Sequence, residues 1–287
     1  MTLASCDSRK TAGENPFFTE WDTPHGVPPF DKILPEHFMP AFERGMSLHE
    51  AEIDAITSNK DEATFENTIL AYDDAGQMLA QTELVFGMLC AAETNDRMQA
   101  LQEQAMPLLA AHRDKIRLDD KLFVRVKEVY DRRAALGLDA EQMRLLQKTY
   151  DSFVRAGALL DAEQKARLKE INGQLSLTAV KFGNNILAEN NNFVLELKSD
   201  ELDGLPAGIR DAAREKAQQM GKGDKWVFTL HKPSLIPLLT YSTRRDLREK
   251  IYKAYLNRCN NGDEYDNKQL INDFIRLRTE KAHLLGY

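Results

Sequence analysis

The residues best suited to chemistry in this 287-residue chain are six histidines, three cysteines and a surplus of carboxylates. A hydrolytic zinc site on a helix needs His-Glu-x-x-His, because a four-residue step puts both imidazoles on one face and the glutamate beside the bound water. His49-Glu50-Ala51-Glu52 begins that pattern, but Ile53 stands where the second histidine belongs, so the segment supplies one ligand. His25 and His37 fall in a proline-rich stretch, His112 and His283 stand alone on predicted helices, and His231 precedes Lys232-Pro233. For each of these a hydrogen-bonded structural role is expected rather than metal binding. No Gly-x-Ser-x-Gly elbow occurs, and such an elbow is what exposes a serine nucleophile above a sheet. Cys6, Cys90 and Cys259 are far apart with no Cys-x-x-Cys pair, which excludes a thiolate zinc cluster and a dithiol redox motif. Cys90 ends an apolar run from Leu84 and is expected to be a small buried hydrophobe. Asp73-Asp74 and Asp119-Asp120 read as helix-surface or cap residues, and Gly221-Lys222-Gly223 as a turn. No catalytic or metal residue is therefore assigned to the chain, and its substrate-binding residues are unknown.

The start of the chain carries a different signal. Leu3-Ala4-Ser5-Cys6 resembles the lipobox of bacterial lipoproteins, which makes Cys6 a lipidation candidate. A polar tether, Asp7 to Asn15, follows it. Lipid on Cys6 would anchor the protein to a membrane without inserting its fold. The expected location is then the cell envelope or periplasm, with the cytoplasm as the alternative. Charge narrows the partners further. With 38 basic against 45 acidic residues and no basic stripe, the chain lacks the electrostatic footprint of a nucleic-acid binder. The densest basic run, Arg244, Arg245, Arg248 and Lys250, is interrupted by Asp246 and Glu249 and reads as a salt-bridged helix face.

The elements that must position these residues are almost all helical. Residues 16–40 are rich in proline and aromatics and should wrap over a surface. Apolar residues at helical spacing then predict a helix over 41–58 and a long one capped by Thr64. Phe65, Ile69, Tyr72 and Leu79 lie on one stripe of the long helix, whose later half, Leu84 to Cys90, should lie inside the bundle. A helix through Met98 to Ile116 should be kinked by Pro107, and one through Leu122 to Tyr130 should end near Gly137. Asp139-Ala140-Glu141-Gln142 and Asp161-Ala162-Glu163-Gln164 are capping-box starts for two more. After Asn190-Asn191-Asn192, Phe193–Leu197 and Trp226–Leu230 read as strands, separated by a helix opened by Pro206 and closed by Gly221. Helices resume over 233–240, 243–258 and 266–285. The fold class is mainly α: a long-helix bundle with a small two-stranded β ribbon. The expected organisation is 1–15 as lipobox-like start and tether, 16–190 as a helical domain, and 191–287 as ribbon plus helices.

Several phrases in that order resemble one known family. Asn15-Pro16-Phe17-Phe18 leads into Pro28-Pro29-Phe30-Asp31-Lys32-Ile33-Leu34-Pro35-Glu36-His37-Phe38, and Thr64-Phe65-Glu66-Asn67-Thr68-Ile69 follows. Tyr150 to Ala158 then runs toward Phe182-Gly183-Asn184-Asn185, with Arg248 to Tyr255 and Arg276 to Tyr287 closing the series. Together they resemble the amino-terminal half of the thimet-oligopeptidase and peptidyl-dipeptidase family of zinc metallopeptidases. The resemblance implies one wall of a two-lobed helical channel, short peptides as substrates, and release of carboxy-terminal dipeptides or internal cleavage. It also implies zinc in the full-length enzyme, held by two histidines and a glutamate in a carboxy-terminal catalytic half. This chain departs from the family pattern in having no His-Glu-x-x-His, so no catalytic or metal residue carries over to it. Alone it is expected to bind no zinc and to be inactive, the catalytic half being supplied by further polypeptide. The alternative is a non-catalytic helical lipoprotein that binds peptides or a protein partner.

Overall fold

The computed structural model describes residues 15–287. The lipidation candidate Cys6 and nearly all of the tether lie outside the described residues. The described chain divides into two compact units, one running to Leu177 and including Thr279–Tyr287, the other Thr178–Arg278. The partition passes through the longest helix.

In the first unit, three short 3-10 turns, Pro16–Phe18, Pro24–Gly26 and Pro35–His37, make up the proline-rich wrap. Helix α1 is Phe38–Ser58 and starts earlier than the spacing predicts. Pro40 is tolerated in its first turn, where the backbone N–H has no helical partner to lose. Phe38 is the reason for the early start: its ring sits 4.9 Å from Phe86 and 5.4 Å from Phe17, inside an aromatic core that also holds Phe42.

The expected single helix after Thr64 is broken into pieces. Thr64 does cap it, accepting from the Asn67 N–H at 3.1 Å while Asn67 Oδ1 accepts from the Thr64 N–H at 2.9 Å. A π-helical turn, Phe65–Leu70, then passes into the short helix α2, Ala71–Asp74. Helix α3, Gln77–Ala92, restarts after Gly76, whose φ of 79° is left-handed. The later half of α3 is not wholly interior: Val85 and Phe86 are buried, whereas Leu84 and Met88 are 66% and 49% exposed. Buried Leu79, Thr82 and Phe86 follow helical spacing, so Leu84 and Met88, one turn apart, fall on the outer side. Cys90, expected to be buried, is half-buried.

Helix α4, Asp96–Arg117, runs through Pro107 as one element, with buried Ala105 and Leu109 holding either side of it. Helix α5, Asp120–Asp131, stops short of Gly137. Arg133 Nη1 donates to the Tyr130 carbonyl at 2.9 Å and takes over one of the last helical acceptors. Both predicted capping boxes form. Asp139 accepts from the Gln142 N–H at 2.9 Å to open α6, Ala140–Ala156. Asp161 accepts from the Gln164 N–H at 2.8 Å to open α7, Ala162–Asn192. Leu146 and Phe153 of α6 close a second core with Ile53, Ile69, Leu122 and Val126. Buried Arg125 braces the loop before Thr64, donating to the carbonyls of Asn59 at 3.0 Å and Asp61 at 3.1 Å.

The second unit holds the ribbon. Strand β1, Leu195–Leu197, pairs antiparallel with β2, Trp226–Phe228, with Leu195 opposite Phe228 and Leu197 opposite Trp226. Leu195 and Leu197 face a core, and Glu196 between them is exposed, the alternation of a one-sided strand. Helix α8, Ala207–Gln219, follows Pro206. It is succeeded by α9, Lys232–Tyr241, and α10, Arg245–Leu256, whose Leu235, Leu238, Leu247 and Ile251 complete that core. The chain then enters α11, Lys268–Leu284. Among the described residues no helix is long and apolar enough to cross a membrane. The architecture is the mainly helical bundle with a two-stranded ribbon that the pattern predicts.

Candidate functional site

The near-miss motif lies on α1, and the structure explains its failure. Ile53, in the place of the second histidine, is 4% exposed and belongs to the core. His49 instead meets a partner the spacing could not reveal. His112 of α4, expected to stand alone, brings its Nε2 to 3.0 Å from His49 Nδ1. The rings are tilted by 59° with centroids 5.0 Å apart. On the other edge of His112, Nδ1 lies 3.5 Å from Glu50 Oε1, and Lys115 Nζ reaches Glu50 Oε2 at 2.8 Å. One tautomer suits both imidazole contacts: the His49 Nδ1–H donates to His112 Nε2, and the proton on His112 Nδ1 faces the Glu50 carboxylate. The opposite tautomer would set a bare imidazole lone pair against that carboxylate.

Burial lowers both imidazole pKa values from the ordinary range, and for His49 the neighbouring His112 adds to the effect, while Glu50 and Glu52 pull upward. The Lys115 ammonium holds the Glu50 carboxyl below its usual range. The pair is thus a neutral, hydrogen-bonded cross-link between two helices. It fits zinc poorly. Two imidazole nitrogens bound tetrahedrally at about 2.0–2.1 Å stand about 3.3 Å apart, and here they face each other at hydrogen-bond distance. Among the described residues no group of three or more histidine, cysteine, aspartate or glutamate side chains is placed to hold a metal ion.

The other candidate residues are spread through both units. His37 Nδ1 accepts from the Leu34 N–H at 3.1 Å and is structural; His25 and His283 are exposed. His231 lies 3.2 Å from Thr229 Oγ1 at the rim of a hollow of about 500 Å³ in the second unit. Ile209 and Ala213 of α8, with Val227 and Phe228 of β2, make its walls apolar, and no carboxylate lines it. It offers apolar burial without an acid or base pair. Burial raises the Cys90 thiol, and burial together with Glu189 pushes the Cys259 thiol up to about 11. Both thiols are therefore protonated at neutral pH and are poor nucleophiles. Of the basic run, Arg244, the residue before α10, pairs with Asp246 at 2.8 Å, and Arg248 instead donates to the Ser242 carbonyl; Glu249 pairs with Lys253, outside the run, at 2.5 Å.

Residues 238–287, from late α9 through α11, match the model of Peptidase family M3. Over 274 residues the chain is 36% identical to a dipeptidyl carboxypeptidase of Escherichia coli and 34% to that of Salmonella typhimurium, in each case along 95% of its length. It is 26% identical over 270 residues to oligopeptidase A of Escherichia coli, along 92% of its length. In each comparison it spans 40% of the relative. Sequence identity along nearly the whole chain and the family match at residues 238–287 converge on one likeness: the chain is similar to the peptidases of family M3.

Proposed function

We propose that this chain is the amino-terminal, non-catalytic portion of a zinc metallopeptidase that hydrolyses short peptides and releases carboxy-terminal dipeptides. The observation that carries the reading is the 36% identity to a dipeptidyl carboxypeptidase against 26% to an oligopeptidase over a similar span. A span of 40% of the relative leaves room for a catalytic half elsewhere in the complete protein. With the His49–His112 pair closed on itself, no zinc-activated water is assigned to these helices. Their role is to shape and rigidify a wall against which peptides are presented.

Two measurements test this. The purified 287-residue chain is expected to hold no stoichiometric zinc and to release no dipeptide from a short synthetic peptide; metal-dependent turnover would overturn the assignment. Fused ahead of the part of the Escherichia coli dipeptidyl carboxypeptidase that it does not span, the chain is expected to restore zinc-dependent dipeptide release. Cleavage only at internal bonds by that fusion would replace the dipeptidase reading with an oligopeptidase one. The lipobox-like start supports a separate proposal, anchorage to the cell envelope through lipid on Cys6. Mass spectrometry of the protein from its native host would show an unmodified Cys6 if the proposal is wrong.

A further inference from the structure

The first unit contains a cleft of about 460 Å³ that no part of the peptidase reading uses. Four helices build it. Helix α6 turns its buried face, Leu146, Thr149 and Phe153, into the core. At 100° per residue, Arg144, Lys148, Asp151 and Arg155 fall within about 60° of one another on the opposite side. That row forms one wall of the cleft. Arg117 comes from the last turn of α4, and Lys281 from the end of α11. Five cations thus face two carboxylates, Asp114 and Asp151, in a protein whose net charge is −7.

Both carboxylates are already engaged by neutral amides. Asn172 of α7 donates to Asp114 at 2.8 Å and accepts from Lys281 Nζ at 2.6 Å, and Gln147 donates to Asp151 at 2.8 Å. The Arg117 charge acts on the buried phenol of Tyr72, partly offsetting the upward push of burial. Arg144, Lys148 and Arg155 have no hydrogen-bond or ion-pair partner among the described residues. Like charges gathered on one helix face repel one another, and such an arrangement is relieved when an anion enters.

We propose that this cleft is a binding site for a small, multiply charged phosphate anion, gripped by Arg144, Lys148 and Arg155. Two guanidinium groups supply the planar, paired donors that phosphate oxygens accept, and the lysine adds a point charge. A peptide carboxylate brings a single negative charge and would leave most of the cationic excess unneutralised. The volume suits a compact anion with room for an organic substituent.

Pyrophosphate is the probe. Titrated calorimetrically into the 287-residue chain at physiological salt, it is expected to bind saturably and to raise the thermal midpoint. Replacing the three cations together, Arg144→Gln, Lys148→Gln and Arg155→Gln, is expected to weaken binding at least tenfold. The three side chains are exposed and make no hydrogen bond or ion pair among the described residues, so the variant should fold, and circular dichroism checks that it does. A second variant with the same loss of charge elsewhere, Lys32→Gln, Lys121→Gln and Lys250→Gln, is expected to bind as the parent does. Absence of saturable binding, or equal weakening in both variants, would overturn the site. Citrate binding as tight as pyrophosphate would overturn its assignment to phosphate.

Discussion

His49 Nδ1 and His112 Nε2 meet at 3.0 Å in a place where burial holds both imidazoles below the ordinary value of 6.5. The unfolded chain therefore takes up protons as the pH falls through 6.5, while the folded chain resists until lower pH. Over that window the unfolded state binds more protons, so stability falls with falling pH. The groups facing the pair temper the effect: Glu50 and Glu83 favour charge on His112, and Lys115 opposes it. Glu50 itself contributes in a separate window, because its lowered pKa adds stability that is lost only as pH drops through and below 4.5. Urea unfolding of the chain should accordingly show a decline between pH 7 and 5.5. That decline should flatten in the double variant His49→Gln, His112→Gln; parallel declines in parent and variant would show that the pair is not its source. The pairing was not legible beforehand, because 63 residues separate two helical histidines that only the packing of α1 on α4 brings together. What could be read was the failure of the metal motif at Ile53, an apolar residue on a core-facing stripe.

Helix boundaries divide into those set by neighbouring residues and those set by distant ones. The boxes at Asp139 and Asp161 and the ribbon were legible because each signal lies within a few residues of its effect. The break between α2 and α3 was not. Phe65, Ile69, Tyr72 and Leu79 keep helical spacing across it, and a lone glycine costs a helix only about 1 kcal/mol, too little to announce an end. The break is imposed by α1: Gly76 N–H donates to Glu52 Oε2 at 2.7 Å. A Cβ on Gly76 would fall 3.0 Å from His49 Nδ1. Gly76→Ala meets both the left-handed backbone, costing about 1–2 kcal/mol, and the crowded imidazole. A loss of roughly 2 kcal/mol or more is expected in chemical denaturation, with the His49–His112 contact disturbed in imidazole NMR spectra. An unchanged denaturation midpoint would show that the loop relaxes freely and that Gly76 does not fix the turn. Gly204 poses the same constraint more severely in the second unit, since a Cβ there would lie 2.2 Å from the Tyr241 carbonyl oxygen.

For the molecule as a whole, the chain's order in sequence is not its order in space. Thr279–Tyr287 follows the second unit yet belongs to the first. Its hold there is specific. Arg167 of α7 grips Glu280 with two parallel bonds, Nε to Oε1 at 2.6 Å and Nη2 to Oε2 at 2.9 Å, the fork geometry in which arginine binds a carboxylate most firmly. Lys281 continues the clamp through Asn172 to Asp114. Leu285 packs near Gly157 and Leu168 at the turn between α6 and α7. Composition and periodicity predicted a mainly helical bundle, but they could not predict this return, nor the basic cleft it helps to close. Both depend on pairs such as Arg167 and Glu280, 113 residues apart. A chain ended at Arg278 would lose the clamp while retaining every residue of the second unit. Hydrogen exchange should then speed up in the first half of α7 and at the turn after α6, because their packing partners are gone, with the ribbon amides unaffected. Glu280→Gln should produce a milder version confined to α7, since the amide keeps one acceptor for Arg167 but not the charge. If the truncated chain instead exchanges faster everywhere, the closing segment is part of a single cooperative fold. If it exchanges as the parent does, the Arg167 fork is an exposed ion pair that contributes little, as most surface pairs do.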